Sequence, residues 1–403
     1  MALVGILLKD FVSNLSILDT FGSLRYKWNK SKCQLELKSS TRINICNFRI
    51  YAAVFNMSVA LYQMVTTLNV GSRMVITHSA MMAADYLLGL VSHCVHARET
   101  KEFINLFNSF IDFEMRWYTK PKCAKNSTNK EKSEALFTKY LMQMMAATAI
   151  FVPLFAHLEI LRNPCWPSYA GYWISGRCQA ELGSTLSITW TLKEFAATIG
   201  ITLFAFFTWT FLICCYCFQV SVSLILQGYC MRVFIAKFGS TMKKIRTVTS
   251  ETRKNVMAYR ELQIFAIQYR FINSRYFLGL HSFAIIVAAV MCMYNTIIWI
   301  QNPGASSVQL GLNALFLWCA VVTIFIFIFV YGILAGVYKI SKNVNEAMNC
   351  NERLKTNKWF TRFLKTCPPI RIFIGGNNFL DELMPLTLED FVINQTVSLL
   401  LLD

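Results

Sequence analysis

The chain has 403 residues, 55% of them hydrophobic and only 15% charged, with a formal net charge of +17. A soluble domain of this size carries roughly 25% charged residues, so the composition excludes an ordinary soluble fold and points to an integral membrane protein. The opening MALVGILLKD lacks a basic start, and its apolar run is too short for a secretory signal. The first spanning segment is therefore expected to insert itself and stay.

In chain order, an N-terminal segment (1–45) precedes apolar stretches at 46–67, 74–94, 140–160, 196–225, 276–300 and 311–337. Each approaches the ~20 residues that cross a bilayer as a helix. A weaker candidate, PLTLEDFVINQTVSLLLL, lies at the end. Among the six strong segments, Arg49 is the only Lys or Arg and Pro153 the only proline, and membrane helices tolerate one proline. The expected fold is an all-α membrane protein of seven transmembrane helices. Helices one to four occupy 46–225, and five and six occupy 276–337. Polar segments at 226–275 and 338–384 separate these blocks from each other and from the last helix, 385–403.

Charge sets the orientation. Alternate connecting segments hold 35 of the 39 Lys and Arg on one side of the seven spans and 4 on the other. The positive-inside rule places the 35 in the cytosol, so the N-terminus is expected inside and the C-terminus outside. The same distribution accounts for the sequence pI of 9.3 without nucleic acid, because basic residues in short loops meet anionic lipid headgroups. The sequon Asn126-Ser127-Thr128 falls on the cytosolic side in this reading and is expected to stay unmodified.

The inner segments read as helices. In 226–275, Met257, Leu262, Phe265 and Tyr269 recur at helical spacing with Arg253, Arg260 and Arg270 between them. The segment after span six reads the same way, so both are expected to extend the spans into the cytosol. They would pack with each other, with sister subunits, or only within one subunit.

Of the 14 cysteines, Cys165 and Cys178 alone fall in an outside loop, where a disulfide between them would close NPCWPSYAGYWISGRC. His78, His93, His96, His157 and His281 form no metal-binding spacing, and no nucleophile elbow or phosphate-binding glycine loop occurs. The chain therefore reads as a non-enzyme without metal or cofactor. Cys214, Cys215 and Cys217 fall on different faces of a helix and read as small buried residues. His78, Asp85, Phe155, His157, Phe204 and Trp318 sit at similar or neighbouring depths in their spans. They are candidates to line an apolar ligand pocket, with plain packing as the alternative for each.

Seven spans with the N-terminus inside reverse the orientation of a G-protein-coupled receptor. That orientation, the length near 400 and a short final segment resemble the insect-type gustatory and odorant receptor superfamily. Gustatory receptors of that group carry Thr-Tyr, five mostly apolar residues, then Gln-Phe in the last span. Here Thr396-Val397 is followed by Ser398-Leu399-Leu400-Leu401-Leu402 and Asp403, so the Thr and the spacing match while Val397 and Asp403 depart from the pattern. The resemblance implies a chemosensory receptor of the plasma membrane acting as a ligand-gated, non-selective cation channel. It implies a homotetramer, or a heteromer with a related subunit, around a pore lined by the last span. A small tastant or odorant would bind in the outer half of helices one to four, and 338–384 would belong to a cytosolic anchor. Aligned on Thr396, the family's gate position is Leu400, and Asp403 sits at the outer mouth.

The residues of the last segment give a neighbouring register. Thr387 and Asp390 have capping-box spacing. Asp390, Asn394 and Ser398 recur every four residues as a polar stripe suited to water, and extending it reaches Leu401. Leu400 or Leu401 is the expected hydrophobic constriction. A secondary transporter of a small solute is the alternative from another class, with Asp85 as its one mid-membrane acid.

Overall fold

Helices make up nearly all of the computed structural model, which describes residues 8–19, 24–67, 73–118, 129–162, 191–222, 228–244, 249–301, 307–351, 356–375 and 378–401. Cys165, Cys178, the sequon at 126–128, Leu402 and Asp403 lie outside the described residues.

The N-terminal segment carries structure that the sequence reading did not anticipate. A short helix α1 (Leu8–Leu18) is followed by a hairpin of β1 (Tyr26–Asn29) and β2 (Gln34–Leu37), with Tyr26 opposite Leu37. A free strand edge leaves backbone donors and acceptors unpaired. Here the Asn108 side-chain amide closes one such gap, accepting from Leu35 N at 2.9 Å and donating to Leu35 O at 3.1 Å.

Asn108 belongs to α4 (Thr100–Tyr118), a helix within what the sequence reading treated as a connecting segment. Phe103, Phe107, Phe110 and Phe113 are all buried, spaced so that they share one face. Lys101, Glu102, Asn105 and Asp112 are exposed on the other. Phe107 stacks on Phe11 at 5.1 Å, and Tyr26 meets Phe218 at 5.4 Å. The N-terminal segment is thereby fastened to the helix bundle by aromatic rings.

The seven apolar segments fall on helices: α2 (Ser40–Thr67), α3 (Arg73–Arg98), α5 (Asn129–Arg162), α6 (Leu192–Val222), α9 (Gly279–Gln301), α10 (Ser307–Phe325) and the last, α13 (Met384–Leu401). A π-helical stretch, Ile326–Tyr331, joins α10 without a break to α11 (Gly332–Cys350). Ser133–Leu158, Leu192–Val222, Gly279–Gln301 and Phe316–Cys350 are long and apolar enough to cross a membrane by themselves. The apolar run in α3 is shorter, Ser79–Val95. Neighbours complete the bundle: α2 packs on α3, α3 on α6 and α9, α5 on α6, and α9 on α10 and α13. Phe48, Tyr51, Phe55 and Tyr62 of α2 are exposed, as rings facing lipid would be. At Gly89 of α3 the two backbones come so close that an added Cβ would clash with Leu212 Cβ of α6.

One end of the bundle extends into α7 (Met231–Lys244), α8 (Ser250–Tyr269) and α12 (Lys358–Thr366), with a second π-helical stretch, Arg270–Leu278, leading from α8 into α9. Leu262, Phe265 and Tyr269 of α8 are buried as the spacing implied. Met257 is exposed instead, and Val256 and Tyr259 take the inner face, because the buried stripe is set one residue earlier there. Tyr259 Oη lies 2.7 Å from Ser341 Oγ of α11, and that oxygen also accepts from Ile370 N at 2.8 Å. Gln263 Nε2 donates to Pro368 O at 2.6 Å, and Asn345 Nδ2 donates to Cys367 O at 3.0 Å. The extended stretch 367–372 is thus held between α8 and α11 by side-chain amides and hydroxyls. A minimal pairing of β3 (Phe373–Ile374) with β4 (Asn378–Phe379) then turns the chain toward α13.

Candidate functional site

A cavity of about 100 Å³ lies midway along the bundle, between α3, α5, α6, α9 and the α10–π segment. Its walls are mostly apolar: Met81, Val152, Ile213, Ile285 and Val322 contribute from all five elements. The close approach at Gly89 forms part of the wall where α3 meets α6. Four side chains bring oxygen: Asp85, Thr148, Tyr216 and Thr323. Thr323 Oγ1 is committed to its own helix, donating toward the carbonyls of Cys319 and Ala320 at 2.9 Å. Thr148 Oγ1 is buried without a hydrogen-bond partner.

The sequence candidates separate around this cavity. Asp85 and Trp318 line it together. Phe155 is 57% exposed on the outer side of α5, beside Phe151, and Phe204 is also exposed. His157 is buried elsewhere, with Nδ1 2.7 Å from Pro153 O and its ring against Phe206 and Trp209. His78 lies on α3, and its side chain is outside the described residues. Thr148 and Tyr216 were not singled out from the sequence; a polar group inside an apolar span is the signal that marks them.

Behind Tyr216 runs a chain of hydrogen bonds. Tyr216 Oη is 2.9 Å from His281 Nε2, and His281 Nδ1 is 2.8 Å from Tyr331 Oη. Tyr331 Oη is 2.7 Å from Ser282 Oγ, which donates to Leu278 O at 2.7 Å. Because Ser282 spends its proton on Leu278, Tyr331 must donate to Ser282 and accept from His281. The imidazole therefore carries its proton on Nδ1 and accepts from Tyr216 at Nε2. Every donor is used once, so the chain runs in one direction from the cavity wall to the π-helical stretch.

The last helix has two contrasting faces. Asp381 caps it, its Oδ1 accepting from Leu383 N at 3.1 Å and Met384 N at 2.9 Å. This corrects the capping-box expectation for Thr387, which lies inside the helix and donates back to Leu383 O at 3.1 Å; the helix starts a turn earlier because Asp381 offers the better cap. Leu388, Val392 and Thr396 are buried against α9 and the π-helical stretch. Asp390, Asn394 and Ser398 lie on the exposed opposite face, with Asn394 Nδ2 3.2 Å from Asp390 Oδ2 and Ser398 Oγ donating to Asn394 O at 2.8 Å. Leu401 continues that face and is 81% exposed, whereas Leu400 is half-buried.

A bundle of long helices with a central cavity, helical extensions at one end and a short two-faced last helix is the architecture of a seven-helix membrane protein. No model of a known family matches the sequence, and no curated protein matches it. Its fold is nevertheless that of an insect olfactory receptor. The structure of the insect olfactory receptor OR5 from Machilis hrabei superposes with a TM-score of 0.68 at 12% identity, covering 97% of this chain and 97% of that one. The same receptor in complex with eugenol gives 0.67 at 13% identity, covering 98% and 99%.

Proposed function

We propose that this protein is a chemosensory receptor of the plasma membrane acting as a ligand-gated, non-selective cation channel. The observation that carries the reading is the fold match along the whole chain to an olfactory receptor, one structure of which holds eugenol. In this reading four subunits surround a pore, and the exposed Asp390–Asn394–Ser398 face of α13 lines it. A polar face left open in a single chain, on a helix whose other face is buried, supports that role. Leu401 is the gate in this proposal, because it shares the exposed polar face while Leu400 is half-buried. Asp403, beyond it, would concentrate cations at the mouth.

A small molecule in the mid-bundle cavity opens the pore by binding the open arrangement more tightly than the closed one. Both elements that flank the last helix, α9 and the α10–π segment, also wall the cavity, so a change in cavity width has a short path to α13. Recording from cells that express the protein tests this. Odorants should evoke cation currents that reverse near zero, and Leu401→Ser should raise the unliganded current. Silence in both, with the protein at the cell surface, would refute the channel.

A further inference from the structure

Asp85 is the one acidic residue among the described residues that line the mid-bundle cavity, and its carboxylate has no hydrogen-bond or ion-pair partner there. A lone carboxylate surrounded by apolar walls at mid-membrane is costly unless something pairs with it. The same cavity holds a second unpartnered group, Thr148 Oγ1 on the facing helix α5. The remaining side-chain hydroxyls are already spent: Tyr216 on His281, and Thr323 on its own helix. The cavity therefore offers one carboxyl group, one free hydroxyl, and a wall of aliphatic, sulfur and aromatic groups.

A hard metal cation does not suit that set, since it takes about six oxygen ligands and the walls here are mostly carbon. An ammonium group on an apolar body does. Its N–H donors would meet the Asp85 carboxylate and the Thr148 hydroxyl, while the Tyr216 and Trp318 rings supply aromatic surface for the cation or its hydrocarbon part. An apolar cavity of ~150 Å³ admits benzene, so about 100 Å³ suits a short chain or a single ring with slight widening. We propose that the ligand class of this receptor is the small primary amines of low polarity, recognised by Asp85 with Thr148. The proposal rests on the mid-bundle cavity being the ligand site.

Binding to the purified full-length protein in detergent, followed by calorimetry, tests it without relying on channel opening. Benzylamine and its neutral counterpart of the same shape, benzyl alcohol, serve as probes. Benzylamine should bind at least about tenfold more tightly to the unaltered protein, as a charge-assisted pair would. Asp85→Asn should abolish that preference, and Thr148→Val should weaken benzylamine several-fold. Equal affinities for the two probes, no binding of either, or an unchanged preference in Asp85→Asn would overturn the proposal. The comparison on the unaltered protein stands even if a variant fails to fold. Amine binding at Asp85 without current in expressing cells would defeat the channel reading and leave the amine assignment intact. Currents evoked by benzyl alcohol and not by benzylamine would overturn the amine assignment and leave the channel reading intact.

Discussion

Tyr216 and His281 are joined by a 2.9 Å hydrogen bond that ties the cavity wall on α6 to α9, the helix that packs on α13. The imidazole sits between two tyrosine hydroxyls and satisfies both, one nitrogen accepting and the other donating. Replacing His281 by Leu takes the acceptor from the Tyr216 hydroxyl, while Tyr331 still donates to Ser282. An unsatisfied buried group costs about 1–3 kcal/mol, so His281→Leu, which strands the Tyr216 donor, and Tyr216→Phe, which strands Nε2, should lower the melting temperature by similar amounts. Thermal unfolding of the purified protein measures both.

Gly89 makes a steric prediction. A methyl there would press on the Leu212 side chain and backbone, and overpacking of this kind costs about 1–3 kcal/mol. Gly89→Ala should destabilise the protein in a thermal unfolding assay, while Gly200→Ala, where nothing lies within 4 Å, should be neutral or slightly stabilising.

The helical extension at the end of the bundle depends on Ser341. Its hydroxyl serves both Tyr259 and Ile370 N, so Ser341→Ala leaves a buried backbone donor unsatisfied, at a cost of about 1–3 kcal/mol. Hydrogen exchange at Ile370 should accelerate in that variant, with little change in α2.

Tyr259 gives a pH dependence with a definite sign. Burial raises its phenol from the ordinary 10.0 to about 12. The neutral form is therefore favoured in the folded state, and its contribution to stability is complete below pH 10 and lost as pH rises from 10 toward 12. Unfolding followed across that window should show a steeper alkaline loss in the unaltered protein than in Tyr259→Phe.

Much of this architecture was legible in the sequence, because a bilayer demands long apolar helices and each of the seven apolar segments falls on a helix. Two things were not. The aromatic face of α4 was passed over because its charged residues, such as Lys101, Glu102 and Arg116, lower its apolar content, although Phe103, Phe107 and Phe110 keep helical spacing. The polar partners of the cavity depend on helix rotation and depth. Asp85 stood out as a rare acid in a span, but nothing in the order of residues brings Tyr216, His281 and Tyr331 together across three helical segments. The start of α13 was misplaced for a related reason: Thr387 and Asp390 have capping spacing, but Asp381 lies just upstream where the extended chain ends.

In the proposed channel the polar face of α13 lines the cation pore. Single-channel recording of Ser398→Cys in reconstituted bilayers, before and after a cationic thiol reagent, tests it most directly. Unitary cation currents should appear that the reagent blocks in Ser398→Cys and spares in the unaltered protein. Unitary currents equally insensitive in both would contradict it.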